Sequence, residues 1–153
     1  STDDTKKQHI DLFKAELDRI AASGGVLIAG GDLNTIPPNA SKTDYCLIDK
    51  ADDESFHGPN DNQEHREGSY FTPEKTWLLP LYESYDPAIS LEMYITDESR
   101  YFSHTQDWDA AYDRKLDYLF TNTNWISESD STWHSAAAWS DHAAVSAKWV
   151  IPR

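Results

Sequence analysis

The chain reads as an α/β domain, and three observations carry that reading. Ile10, Phe13, Leu17 and Ile20 recur at spacings of three and four, which puts them on one face of a helix from about Thr5 to Ser23. Gly24 and Gly25 stop that helix, and the continuous apolar run Val26 to Ala29 follows as a short strand covered on both faces. Leu116 to Phe120 repeats the strand pattern far downstream. A helix feeding a buried strand points to the α/β class.

The elements follow in order. Asp3 and Asp4 suit the positive end of the first helix. Pro37 and Pro38 end regular structure after Asp32. Asp49 to Gly68 is polar, acidic and poor in aliphatics, as expected of a long surface loop or insertion. Packing resumes in WLLPLYESYDPAISLEMY, with Pro80 early in a helix and Pro87 at a break. Tyr101 and Phe102 begin a strand, and Gln106 to Tyr112 is a turn or exposed loop carrying Trp108. Thr121 to Asn124 is the exit from the Leu116 strand. A polar loop surrounds Glu128 to Asp130, and Ala143 to Val150 forms the last strand. No repeat, heptad array or dividing linker appears, so residues 1–153 make one domain.

Composition bounds the function. Acids number 27 against 13 Lys and Arg, a net charge of -14, which argues against a broad basic surface for nucleic acid. A phosphate substrate stays compatible, because a bound divalent ion reverses the local field. No run reaches the roughly 20 apolar residues of a membrane span, so a soluble protein is expected, cytoplasmic or secreted. The single cysteine, Cys46, excludes an intrachain disulfide and reads as a small core residue.

Three segments set acids at the edges of apolar runs, where backbone position is fixed. GGDLN places Asp32 and Asn34 two apart, on one face if the strand continues that far. A carboxylate there can orient water or take a proton, and the amide can donate to a phosphoryl oxygen. The structural alternative is an Asx-turn closing the strand. RKLDYLF sets Asp117 between Leu116 and Tyr118. An acid in such a run needs a partner: Arg114 or Lys115 as an ion pair, or a histidine as a proton-transfer pair. Arg114 and Lys115 equally suit a substrate phosphate or an ordinary surface. WSDHAAV supplies Asp141 and His142, which face opposite ways in a strand, so Asp117 is the better partner for His142. A turn histidine satisfied by Ser140 is the alternative. No phosphate-binding GxxxxGK[ST] loop, GxSxG elbow, zinc-finger spacing or EF-hand loop occurs. Oxygen ligands with Asn and His favour Mg²⁺ or Mn²⁺, and Ca²⁺ also fits.

GDLN, LDY and SDH together resemble the endonuclease/exonuclease/phosphatase superfamily, the fold of DNase I and exonuclease III, in its motif order. The resemblance covers nearly the whole chain but matches the second half of that family's domain. It implies the C-terminal half of a four-layer α/β/β/α sandwich with mixed, largely antiparallel sheets. It implies divalent-metal-dependent phosphodiester hydrolysis, by a nuclease or related phosphodiesterase. A phosphomonoesterase and a noncatalytic binding module of the same fold are the alternatives. In the implied roles Asp32 orients or deprotonates water, Asn34 steadies the phosphate, and Asp117 pairs with His142, which contacts the scissile phosphate. Asp141 is the implied metal ligand, with Asp32 beside it. FSHTQDW resembles the segment that shapes the family's substrate face, which brings in His104, Thr105 and Trp108 as substrate contacts. The family's early asparagine, metal-binding glutamate and middle tyrosine or histidine match no position here. A partner chain carrying the N-terminal half is therefore expected, or failing that a homodimer.

Overall fold

The computed structural model describes residues 3–40, 76–105 and 111–150. The expected loop over 49–68, Cys46 and Trp108 lie outside them.

Helix α1 runs Asp3–Ala22 and buries Ile10 and Leu17, with Phe13 and Ile20 packed beside them. Its outer face carries ion pairs one turn apart, Lys7 with Asp11 and Lys14 with Asp18. The helix ends as a Schellman motif. Gly25 N–H donates to the Ile20 carbonyl at 3.1 Å and Gly24 N–H to Ala21 at 3.0 Å. Gly24 has φ +80°, a left-handed value that glycine adopts without steric cost.

Strand β1 follows at Ile28–Asp32. It pairs antiparallel with β3, Asp117–Thr121, which also pairs with the two-residue β2, Asp86–Pro87. Among the described residues the order β1-β3-β2 leaves β1 at an edge of this sheet. The expectation of a strand covered on both faces is therefore corrected: Leu27 is buried, but Val26 is 51% and Ile28 47% exposed. An apolar run four residues long does not distinguish a central strand from an edge strand with one open face. The strand also continues to Asp32, farther than the apolar run, because the glycines can pair. Gly30 lies so close to β3 that a Cβ there would stand 1.9 Å from the Tyr118 carbonyl oxygen.

Helix α2, Leu79–Ser84, carries Pro80 in its first turn, where a missing N–H costs nothing. Helix α3, Leu91–Thr96, is capped by Ser90, whose Oγ accepts from Met93 N–H at 3.1 Å. Tyr101 closes a 3₁₀ turn, Glu98–Tyr101, instead of opening a strand. Asp97 caps that turn by accepting from Arg100 N–H, and extended pairing begins at His104. A second sheet pairs β4, Ser131–Trp133, with β5, Ala144–Ser146. The expected final strand thus shortens to three residues, with a separate bridge from Trp125 to Trp149. Among the described residues the fold is α/β with two small antiparallel sheets.

Two cores result. Ile10, Leu17, Leu27, Trp77, Leu78, Leu81, Tyr85, Tyr118 and Phe120 pack α1 and α2 onto the three-stranded sheet. Ile36, Ala40, Ile89, Tyr94, Tyr101 and Leu116 form the other. Asp117 lies between Leu116 of one core and Tyr118 of the other, so packing on both sides fixes its backbone.

Candidate functional site

The register of β1 with β3 places Asp32 opposite Asp117. The chain from Ser103 to Thr105 runs beside the Arg114 segment on one flank and the Asp141–Ala143 segment on the other. His104 bridges to both Arg114 and His142. Ser103 N–H donates to the Arg114 carbonyl at 2.8 Å, Ala143 N–H to Ser103 at 2.8 Å, and Thr105 N–H to Asp141 at 3.0 Å. These bonds gather all three acid-bearing segments at one place.

Asp117 and His142 form the expected pair, with Nδ1 of His142 2.9 Å from Asp117 Oδ2. Across the ring, Nε2 of His142 lies 3.9 Å from Asp32 Oδ2. His142 N–H also donates to Ser140 Oγ at 3.0 Å, so the turn anticipated as an alternative coexists with the pair. The Asx-turn is present too. Asn34 sits at φ 50°, and its N–H donates to Asp32 Oδ1 at 2.8 Å. The Asn34 side-chain amide donates one hydrogen to Asp32 Oδ2 at 3.0 Å and keeps a second donor. Asp32 and Asn34 are therefore coupled by a turn, since the strand ends at Asp32.

Sequence reasoning missed Ser103. It is fully buried, and its hydroxyl donates to Asp117 Oδ2 at 2.7 Å. Ser103 Oγ in turn accepts the N–H groups of Leu116 and Asp117, each at 3.0 Å. Ser103 thus locks the carboxylate that holds His142. Its only signal in the sequence was a small residue between Phe102 and His104 in a mixed aromatic and polar segment.

Electrostatics separates the two imidazoles, whose ring centroids lie 4.6 Å apart. Burial pushes His104 down to about 4, helped by the positive charge of His142 and Arg114. Burial also opposes charge on His142, but the Asp117 hydrogen bond with the carboxylates of Asp117, Asp32 and Asp141 outweighs it and raises the pKa. Asp32 is raised above the usual carboxylate range, first by burial and then by the Asp117 charge, against the Asn34 hydrogen bond.

Arg114 and Lys115, expected at the phosphate, are each 1% exposed. Arg114 Nε donates to Asp113 Oδ1 at 3.0 Å. Lys115 Nζ donates to the Asp117 carbonyl at 2.6 Å and lies over the Tyr118 ring, while burial brings its amine down to about 7. Both are buried and so are not the ordinary surface cations that the sequence left open as an alternative. Thr105 is likewise buried, whereas His104 does reach the site. Two basic residue types that the sequence did not single out stand nearer the surface. Lys6 and His9 of α1 line a recess of about 280 Å³ with Ile10, Asp32, Leu33 and Asn34. A larger recess of about 560 Å³ beside α3 is lined by Glu92, Asp97, Glu128 and Asp130 and contains none of the imidazole groups, so its size does not make it the chemical site.

The donor set suits a divalent ion in general. Asp32, Asp117 and His142 present ligating atoms within 4.8 Å of one another, and so do His104, Asp141 and His142. Among the described residues no helix is long and apolar enough to cross a membrane. No family model matches the chain, and neither a curated protein nor a solved structure matches it.

Proposed function

We propose that the chain carries the C-terminal half of a divalent-metal phosphodiesterase or nuclease site of the endonuclease/exonuclease/phosphatase kind, with the four-layer sandwich that family implies. The observation that carries this reading is the ordered row Asp117–His142–Asp32, with contacts of 2.9 and 3.9 Å across one imidazole. Asp117, held by Ser103, fixes the ring and favours its charged form. His142 then offers Nε2–H to a phosphoryl oxygen as charge develops there. Asp32, raised in pKa, holds the attacking water and accepts its proton. Asn34 spends one amide hydrogen on Asp32 and offers the other to the phosphate. Lys6 and His9 line the same recess and suit an anionic substrate. A divalent ion, Mg²⁺ or Mn²⁺ first, held by Asp141 and Asp32 would neutralise phosphate charge.

The test is hydrolysis of bis-p-nitrophenyl phosphate, double-stranded DNA and a phospholipid with Mg²⁺ or Mn²⁺, by the chain alone and mixed with an upstream half. Asp32→Asn and Asp117→Asn should each lower turnover about 10²-fold or more while the fold survives, as general acid–base groups do. Parent-like turnover in both variants would refute the roles given to these acids. Metal binding with every substrate inert would leave a noncatalytic module of the same fold.

A further inference from the structure

We propose that His104, Asp141 and His142 form a binding site for a borderline transition-metal dication such as Zn²⁺ or Co²⁺. Each residue offers one ligating atom, and these atoms lie within 4.8 Å of one another. Nδ1 of His142 is engaged by Asp117 at 2.9 Å, so Nε2 is its ligating nitrogen. A carboxylate on the far nitrogen is the arrangement that fixes tautomer and ring direction for metal binding. Nδ1 of His104 is buried and has no hydrogen-bond partner, a cost that a ligand or a water would remove. The backbone is already set: His104 and His142 are bridged neighbours, and Thr105 N–H holds the Asp141 carbonyl at 3.0 Å. Tetrahedral bonds of about 2.0–2.1 Å separate donors by roughly 3.3 Å, so modest side-chain rotations would close the cluster. Two imidazoles with one carboxylate suit Zn²⁺ or Co²⁺ better than Mg²⁺ or Ca²⁺.

This site differs from the oxygen-ligated one of the hydrolytic reading by its use of His104, and it stands without that reading. One consequence does rest on it: an ion on His142 Nε2 removes the donor meant for the phosphate, so Zn²⁺ should inhibit Mg²⁺-supported turnover.

Calorimetry with Zn²⁺ and visible absorption with Co²⁺ test the site on the chain directly. One ion should bind per chain, with Co²⁺ bands of the intensity that low coordination number gives. His104→Ala and Asp141→Asn should each weaken Zn²⁺ binding about 10-fold or more, since even ligand-supporting residues are worth that much. Asp32→Asn belongs to the other cluster and should change it by less than about threefold. Should His104→Ala unfold by circular dichroism, the half-buried Asp141 decides through Asp141→Asn. Parent-like binding in Asp141→Asn, or in a folded His104→Ala, overturns the proposal. So does an equal loss in Asp32→Asn, which would give the ion to the Asp32–Asp117–His142 cluster. Intact Zn²⁺ binding with no hydrolysis of any substrate would sink the hydrolytic reading alone.

Discussion

His104 and His142 touch, yet their surroundings drive their protonation apart. At pH 5 His142 should be charged and His104 neutral, because the first is raised above 6.5 and the second falls to about 4. The stability terms have opposite signs. His142 has a raised folded pKa, so its contribution is full below about 6.5 and is lost as pH rises through the folded value. His104 has a depressed one, so its contribution is present above about 6.5 and is lost as pH falls towards about 4. Nitrogen-detected imidazole titrations should resolve the two steps. Asp117→Asn should lower the His142 midpoint and leave His104 below 5, since the hydrogen bond it removes belongs to His142. Two midpoints together near 6.5 would contradict the pair. At this scale the sequence revealed which side chains meet, since an acid inside an apolar run demands a partner. It hid Ser103, because a buried hydroxyl has no period or charge to betray it. It did not show that Arg114 and Lys115 are buried, because cations at the start of a strand normally reach solvent.

The β1–β3 pair is the element on which the site depends, and glycine permits it twice in different ways. At Gly24 the constraint is conformational: φ is +80° and nothing lies within 4 Å of an added Cβ. Gly24→Ala should cost about 1–2 kcal/mol, the left-handed penalty for an L-residue. At Gly30 the constraint is contact with main chain, which cannot rotate away, at 1.9 Å from the Tyr118 oxygen. Gly30→Ala must part the strands, so it should cost more than Gly24→Ala and separate Asp32 from Asp117. Urea unfolding gives the order of the two losses, and equal losses would argue against this strand register. Side chains brace the same pair at its far end. Thr121 Oγ1 donates to the Leu27 carbonyl at 2.7 Å, and Asn122 Oδ1 accepts Leu27 N–H at 3.0 Å. The helix, its glycine stop and the two strands were legible because each carries a local signal. The short β4 was not, and β5 was expected too long, since three-residue strands such as Ser131–Trp133 and Ala144–Ser146 are set by their partners.

For the whole molecule, the α/β class followed from local pattern, while sheet order did not. Which strand lies at the edge depends on contacts between distant segments, and period alone does not encode them. The outer edge of β1 has no strand partner among the described residues, and Ile28 stands 47% exposed there. That edge can accept another strand, yet each copy carries a net charge of -14. If copies pair along that edge, ionic strength should govern whether they meet. In 0.01 M salt the charges repel over about 30 Å, and in 0.15 M over only about 8 Å. Self-association should rise with salt, the reverse of a complex held by opposite charges. Sedimentation velocity should show monomer in 0.01 M salt and a growing dimer fraction in 0.5 M, with Ile28→Lys remaining monomeric. A parent chain that stays monomeric at every salt and concentration would rule out the homodimer. Otherwise the acidic surface acts as a valve on strand pairing, closed in dilute buffer and opened by counterions.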